Sequence, residues 1–525
     1  MQANRRHFLA HITRLAGLAS LTAALPGLSK VPLSHYPFAL GVASGAPLPT
    51  GVVLWTRLIA NPIAEQAFST QAIAVRWEIA EDEHFRRIAA KGQATAVPEL
   101  AHSIHVDASG LQPDRWYWYR FMAGDAVSPT ARTRTAPLKE TMPAALRFAV
   151  ASCQHWEFGH YAAHRHIAAA NPDLVAFLGD YIYEWGPYDL AHPSAPRQRN
   201  NESMTLAHYR ARYAQYKSDP HLQAAHHAAP WILTWDDHEV ANDYGRDRDE
   251  ILSPSFHQRR AAAYQAFYEH MPVRLFSNQP GGFAQMRIYQ RYGWGRLAQF
   301  HVLDSRQYRS YQACPVSGRG GSNSVTAHCR ERSENRRTLL GHEQEQWLDQ
   351  GFATSQAKWN ILAQQTLMAQ HSQLPIRKPE DGRFWTDGWD GYPAARKRLF
   401  DALQRHRPAN PVVISGDVHA FYAADLRPDF IRPVSTGNPV IATEFCGTSI
   451  TSSSRPQLRT DRYVAENPHI QYGRSDRRGF AIVELTPAKM NVHFMGLENV
   501  LRAESPASAL ASFVVEDGKP GVQRS

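Results

Sequence analysis

The feature that most limits how this chain can fold is a set of short, nearly unbroken apolar runs, several of which stop at Asp, His or Cys. They occupy residues 146–151, 174–178, 231–234, 297–303, 359–362 and 411–414. Continuous runs of this length suit strands buried on both faces, with helices covering the sheets. Helical stretches separate them, including those expected within 186–230 and 245–279. Residues 141–525 therefore read as an α/β domain, a class in which ligands bind beyond the carboxyl ends of the strands.

The chain before residue 141 follows another pattern. At 525 residues there is room for more than one core, because single cores rarely grow past roughly 250–300 residues. From 34 to 136 the sequence is all-β, with short runs such as Gly51-Val52-Val53-Leu54-Trp55 spaced by turn residues. Leu111-Gln112-Pro113, followed by the alternating aromatics of 116–121, resembles the closing corner of a fibronectin-like sandwich. Residues 32–140 are expected to form this small domain, with 131–142, rich in Thr, Pro and Ala, as a linker. A return to β pattern at 480–515 is expected to complete a second sheet.

Asn4-Arg5-Arg6-His7-Phe8-Leu9 has the form of a twin-arginine export signal, with a weakly apolar stretch at 15–28 behind it. That stretch is shorter than the roughly 20 apolar residues of a membrane span, and Arg14 precedes it. Residues 1–31 are therefore read as a signal. The twin-arginine machinery is then an expected partner, the location periplasmic or secreted, and no transmembrane span remains in the mature form. The net charge is +9, but the basic residues are scattered and form no stripe interleaved with aromatics. That argues against a specific nucleic-acid partner. Of the four cysteines, Cys314 and Cys329 flank a Gly/Ser-rich loop and are read as a disulfide, which an oxidising compartment permits. Cys446 is read as a small buried residue.

Chemistry concentrates at four strand ends: Ser152-Cys153-Gln154-His155, Gly179-Asp180-Tyr181-Ile182-Tyr183-Glu184, Asp236-Asp237-His238-Glu239 with Asn242-Asp243, and Gly416-Asp417-Val418-His419. Glycine before Asp180 and Asp417 is expected to permit the turn that aims each carboxylate away from its strand. Carboxylate oxygens suit hard cations, whereas a thiolate and a phenolate suit iron or zinc. One site holding both sets reads as two or more metals of unlike kind, able to clamp the attacking and leaving oxygens of a phosphoryl group. His160, His164 and His166 fall on an expected helix and are read as surface residues. No Gly-x-Ser-x-Gly elbow stands where a serine hydrolase would need one.

These motifs resemble those of the calcineurin-like metallophosphoesterases. Gly179-Asp180-x-x-Tyr183 is similar to the element in which purple acid phosphatases hold ferric iron through tyrosine. Cys153 in place of an aspartate, Asp237-His238-Glu239, and Gly416-Asp417-Val418-His419 together resemble the PhoD-type alkaline phosphatase/phosphodiesterase pattern. So do Leu303-Asp304-Ser305-Arg306-Gln307-Tyr308-Arg309 and Trp389-Asp390-Gly391-Tyr392. The resemblance implies a four-layer αββα catalytic domain carrying Fe3+ and Ca2+. Cys153, Tyr183 and His419 would hold iron, Asp180 would bridge the two metals, and Asp237 and Asp417 would face calcium with Asn242 beside them. Aspartate at 417 in place of the usual histidine favours a hard cation there.

The expected reaction is in-line attack on phosphorus by a metal-bound hydroxide or oxide. His238 would bind the phosphate or protonate the leaving oxygen, and Arg306 and Arg396 are candidates to grip the substrate, with surface or structural salt bridges the other reading of each. Substrates are phosphate monoesters, diesters or both, on small molecules or envelope polymers. The alternative is a cell-surface binding protein whose metals are structural.

Overall fold

The computed structural model describes residues 35–62, 69–189, 191–274, 282–378 and 380–525. The export signal read at 1–31 lies outside them.

Two large sheets carry the chain. One has ten strands, in the order Lys519–Arg524, Ala507–Glu516, Lys489–Leu497, Gly479–Leu485, Leu146–Ala151, Leu174–Leu178, Trp231–Thr234, Val42–Leu48, Gly51–Arg57, Ser103–Ser109. The other has seven: Gln290–Trp294, Ala298–Val302, Trp359–Thr366, Pro411–Gly416, Ala442–Cys446, Phe421–Leu426, Ile470–Arg474. Parallel strands form the middle of each sheet, where the apolar runs were longest.

Side-chain alternation explains why those runs are apolar throughout. Phe148, Val150, Ala176 and Leu178 point between the sheets, where they meet Phe300, Ile361, Ala363, Val412 and Ile414. Their neighbours Ala149, Ala151, Val175 and Phe177 point the other way, onto the helices Ala162–Ala169, Leu206–Lys217 and Phe256–His270. On the far sheet, Leu362 and Val413 face the helices His342–Thr354 and Pro393–His406 through Leu348, Phe352, Leu399 and Leu403. The result is four layers, αββα. Each large apolar side chain is worth roughly 1.5–3 kcal/mol when fully buried, so period-2 strands with both faces apolar are stable only inside such a stack.

The N-terminal region is all-β, and Gln112 N–H donates to Tyr117 OH at 2.8 Å, closing the corner. It is not a separate bead, however. The strands Val42–Leu48, Gly51–Arg57 and Ser103–Ser109 continue the ten-stranded sheet, joined by the parallel pairing of Gly45 with Trp231. Their outer face packs on a second, small sheet built on Ile73–Ala80 and Trp116–Ala123. Residue 140 therefore marks no break in the sheet. Residues 131–142 are not simply a linker either, because Ala131–Arg134 pairs with Trp116–Tyr119. The final β segment does not complete the second sheet as expected; Gly479–Leu485 pairs with Leu146–Ala151 in the first. Alternation identifies a strand but cannot name its neighbour.

Cys314 and Cys329 form the disulfide, and Cys446 is buried. His164 departs from expectation. It is fully buried, with Nε2 2.6 Å from Gln154 Oε1, because the helix Ala162–Ala169 turns that face onto the sheet.

Candidate metal centre and its pocket

The strand ends converge because the two sheets are stitched together beside them. Gln365 Nε2 crosses between the sheets to Thr234 Oγ1 and Trp235 O, both at 2.7 Å. Cys153 N–H donates to Gly179 O at 3.1 Å, and Gln154 N–H to Asp180 O at 3.0 Å. Gly416 needs its missing side chain for close approach, since a Cβ would lie 2.3 Å from Ser152 Oγ. Gly179 is needed for conformation: it has φ +102° and abuts Asp236. The chain then reverses through residues in the left-handed region at Cys153, Asp180, Asp243, Asp417 and His419. Each costs of order 1–3 kcal/mol where no glycine relieves it, so these turns are held by the surrounding structure and aim the side chains to one place.

Two donor groups share a member. Cys153, Asp180 and His419 bring ligand atoms within 4.8 Å of one another, and so do Asp180, Asp237 and His238. Tyr183 OH joins the first group, 2.8 Å from Asp180 Oδ2 and 3.3 Å from His419 Nε2. Metal–oxygen bonds of about 2.0–2.2 Å place adjacent corners of an octahedron about 3 Å apart, so this spacing suits donors to one ion. Asp417 lines the same pocket with Oδ2 buried and unpartnered. Asp180 Oδ1 is likewise unpartnered, and Asp237 Oδ1 has only a 3.4 Å contact from Arg306. Native proteins rarely leave buried carboxylate oxygens orphaned, and the donor set of sulfur, phenol, imidazole and carboxylate fits bound metals.

The electrostatics agree. Burial pushes the carboxyl groups of Asp180 and Asp417 well above the usual carboxylate range, and the Cys153 thiol and Tyr183 phenol well above theirs. A bound cation reverses that, since ligands must deprotonate to coordinate. Asp237 differs: burial raises it, but Arg306 and then His238 draw it down to about 2. For His238, burial is outweighed by Glu184, Asp237 and Asp180, which lift the imidazole well above its usual value. Glu184 Oε2 lies 2.7 Å from His238 Nδ1 and leaves Nε2 as the other ring nitrogen. Tyr183 stacks on the same ring at 4.1 Å between centroids, and Trp185 meets it edge-on.

Of the two readings of the arginines, substrate grip and structural salt bridge, the contacts are those of the second. Arg306 is fully buried and paired with Asp236, Asp237 and Asp387. Arg396 is 5% exposed and spent on Asp390 Oδ1 at 2.8 Å and Met368 O at 3.0 Å. Neither lines the pocket; both neutralise buried acids. Asn242 does line it, with its backbone N–H on Glu184 Oε1 at 2.7 Å.

Sequence reasoning missed several supports. Glu239 accepts the backbone N–H groups of Asp180, Tyr181 and Asp236 and so ties two strand ends together. Ser452 Oγ lies 2.7 Å from Tyr183 OH. Asp243 and Asp387 form a third carboxylate group with Asp237. Glu184 and Glu239 were legible as carboxylates adjoining the motifs. Asp387 and Ser452 carry no local signal and arrive from distant loops.

A sequence profile of PhoD-like phosphatases matches residues 148–494, and one of the PhoD-like N-terminal domain matches residues 23–137. Alkaline phosphatase D of Bacillus subtilis (strain 168) is 42% identical over 534 residues, spanning 99% of this chain and 89% of that protein. A solved structure of PhoD superposes with a TM-score of 0.87 at 42% identity, covering 94% of this chain and 93% of that one. A purple acid phosphatase from yellow lupin (Lupinus luteus) seeds shares the fold at a TM-score of 0.54 and 11% identity, over 92% and 74% of the two chains.

Proposed function

The chain belongs to the PhoD-like phosphatase family and is a metal-dependent hydrolase of phosphoric esters; from that premise we propose that Asp180 bridges Fe3+ and Ca2+. Iron would be held by Cys153, Tyr183 and His419, and calcium by Asp237 and Asp417 with Asn242 nearby. The observation that carries this reading is that Asp180 belongs to both donor groups, one containing sulfur and imidazole and the other extending to Asp237. Thiol and phenol beside one oxygen favour iron, and the carboxylates of Asp237 and Asp417 favour calcium, with the His238 imidazole of that group kept for proton transfer. Bound metals would supply Lewis acidity, withdrawing charge from the phosphoryl oxygens and lowering the pKa of the attacking water.

The chain's own groups do the rest. His238, protonated through Glu184 and flanked by Tyr183 and Trp185, is placed to donate from Nε2 to the leaving oxygen. Arg306 holds Asp237 ionised without touching substrate. The pocket over these donors has a volume of about 470 Å³ and is open on one side. That room admits monoesters and diesters alike. It also disfavours structural metals, whose sites are closed.

Elemental analysis of the purified protein, with hydrolysis of a chromogenic monoester and diester with and without Ca2+, tests the assignment. Iron near one per chain with calcium-dependent turnover supports it. Iron-free protein fully active with zinc or magnesium overturns the roles given to Cys153 and Tyr183. Export through Arg5-Arg6 belongs to the same proposal. No helix among the described residues is long and apolar enough to cross a membrane. Replacing both arginines with lysine is expected to keep the protein inside the cell, and unchanged export would refute a twin-arginine route.

A further inference from the structure

Next to the donor residues, starting at Val418 between Asp417 and His419, part of the pocket wall has a different character. There the wall is Arg455, Arg459, Ser454, His371, Trp385 and Tyr463. Arg455 is fixed by neutral acceptors, Nη1 donating to Tyr422 OH at 2.9 Å and Nη2 to Val418 O at 3.1 Å. His371 Nε2 lies 3.2 Å from the same Tyr422 oxygen and braces it. Arg459 sits in the first turn of the helix Gln457–Glu466 and is exposed. Among the described residues neither arginine forms an ion pair, whereas Arg306, Arg309 and Arg396 each hold a carboxylate. Asp390, which lines the same pocket, is bound by Arg396 and by the His371 N–H.

The wall also holds spare polar capacity. Thr366 Oγ1, in a residue 1% exposed, and Ser454 Oγ are both buried without a partner. One cation fixed by neutral acceptors and a second, exposed one, neither in an ion pair, beside unpaired hydroxyls and aromatic flanks, describe a place for a negatively charged organic group.

We propose that Arg455 and Arg459 are specificity-determining residues that read a negative charge on the leaving alcohol, so that the enzyme prefers phosphodiesters whose leaving group is itself anionic. The inference rests on the phosphoesterase reading of the same pocket. In the reaction, water oxygen bonds to phosphorus and the P–O bond to the alcohol breaks. The alcohol departs with a proton, its distal anion held between the two guanidinium groups.

The test uses full-length, metal-loaded enzyme and two methyl aryl phosphodiesters, one releasing 4-nitrophenol and the other a nitrophenol bearing a ring carboxylate. The readout is the ratio of their kcat/KM values, which cancels general losses of activity. Arg455→Gln with Arg459→Gln is expected to lower the ratio (carboxylated over plain) about tenfold or more. Arg455→Lys, which keeps the charge, should hold it within about twofold, and added salt should lower it in the unmodified enzyme. A ratio unchanged in the double variant overturns the proposal. Should the Arg455 variant fail to fold, exposed Arg459→Gln and the salt series still decide. Unmodified enzyme inert on both diesters but active on a chromogenic monoester would refute the diester preference and the subsite with it, and inertness on all three would refute the reading of the pocket as the phosphoesterase site.

Discussion

Asp180 is the residue on which the proposed centre turns, because both donor groups pass through it. Asp180→Asn keeps the shape and removes the charge. It is expected to cut turnover at least about 100-fold and to lower bound metal by elemental analysis; near-normal turnover with metal retained would refute the bridging role. Glu184→Gln should act through His238, since that carboxylate keeps the imidazole charged. We expect kcat to fall more than KM rises and the pH–rate profile to move; equal loss for all substrates with an unmoved profile would mean a purely structural role. Outside the donor set, burial holds His164 and His371 at about 3 and His105 and His227 at about 4. Their unfolded value is near 6.5, so each folded pKa is depressed. The unfolded chain therefore takes up protons first on acidification. The stability contributed by neutral histidines is present above about pH 6.5 and is lost as pH falls toward the folded values. Urea unfolding between pH 7 and 5 should show this slope. His164→Gln should reduce it by up to one proton, about 1.4 kcal/mol per pH unit.

At the scale of elements, the strand-end turns hold the centre together. The strand Leu174–Leu178 delivers Asp180 through Gly179, whose φ of +102° and contact with Asp236 leave no room for a side chain. Gly179→Ala is expected to cost about 1–3 kcal/mol, seen as a lower melting temperature, and to weaken metal retention by displacing Asp180. A variant of normal stability and metal content would mean that the turn is set elsewhere. Glu239 reinforces the same turn by accepting three backbone N–H groups from two strand ends. It is a positioning residue whose loss should resemble that of Gly179.

Across the whole molecule, the N-terminal strands and the catalytic layers share one sheet. Removing residues 1–140 would strip the strand beside Trp231–Thr234 and uncover the edge of the strand that leads to Asp237. Trp55, fully buried, donates from its indole to Glu269 O at 3.0 Å and would be lost as well. The full chain is therefore expected to melt in one transition, and the 141–525 fragment to melt at lower temperature or aggregate through its exposed edge. A fragment with the full chain's melting temperature would show the N-terminal region to be energetically independent.

The strands and most of the donor residues were legible in the order of residues alone. Apolar runs needing burial on both faces identify buried parallel strands, and the polar groups that end them are local in the chain. The Cys314–Cys329 bridge was legible for the same reason of proximity. The tertiary structure alone decided which strands are neighbours, since alternation fixes a strand's faces and leaves its partner open. That is why 480–515 and the N-terminal strands joined a sheet the sequence had not assigned them. It also decided the arginines and His164. A lone charged or polar residue reads the same in sequence whether it meets solvent or a buried partner, and only packing put Arg306 and Arg396 on acids while leaving Arg455 and Arg459 to the pocket.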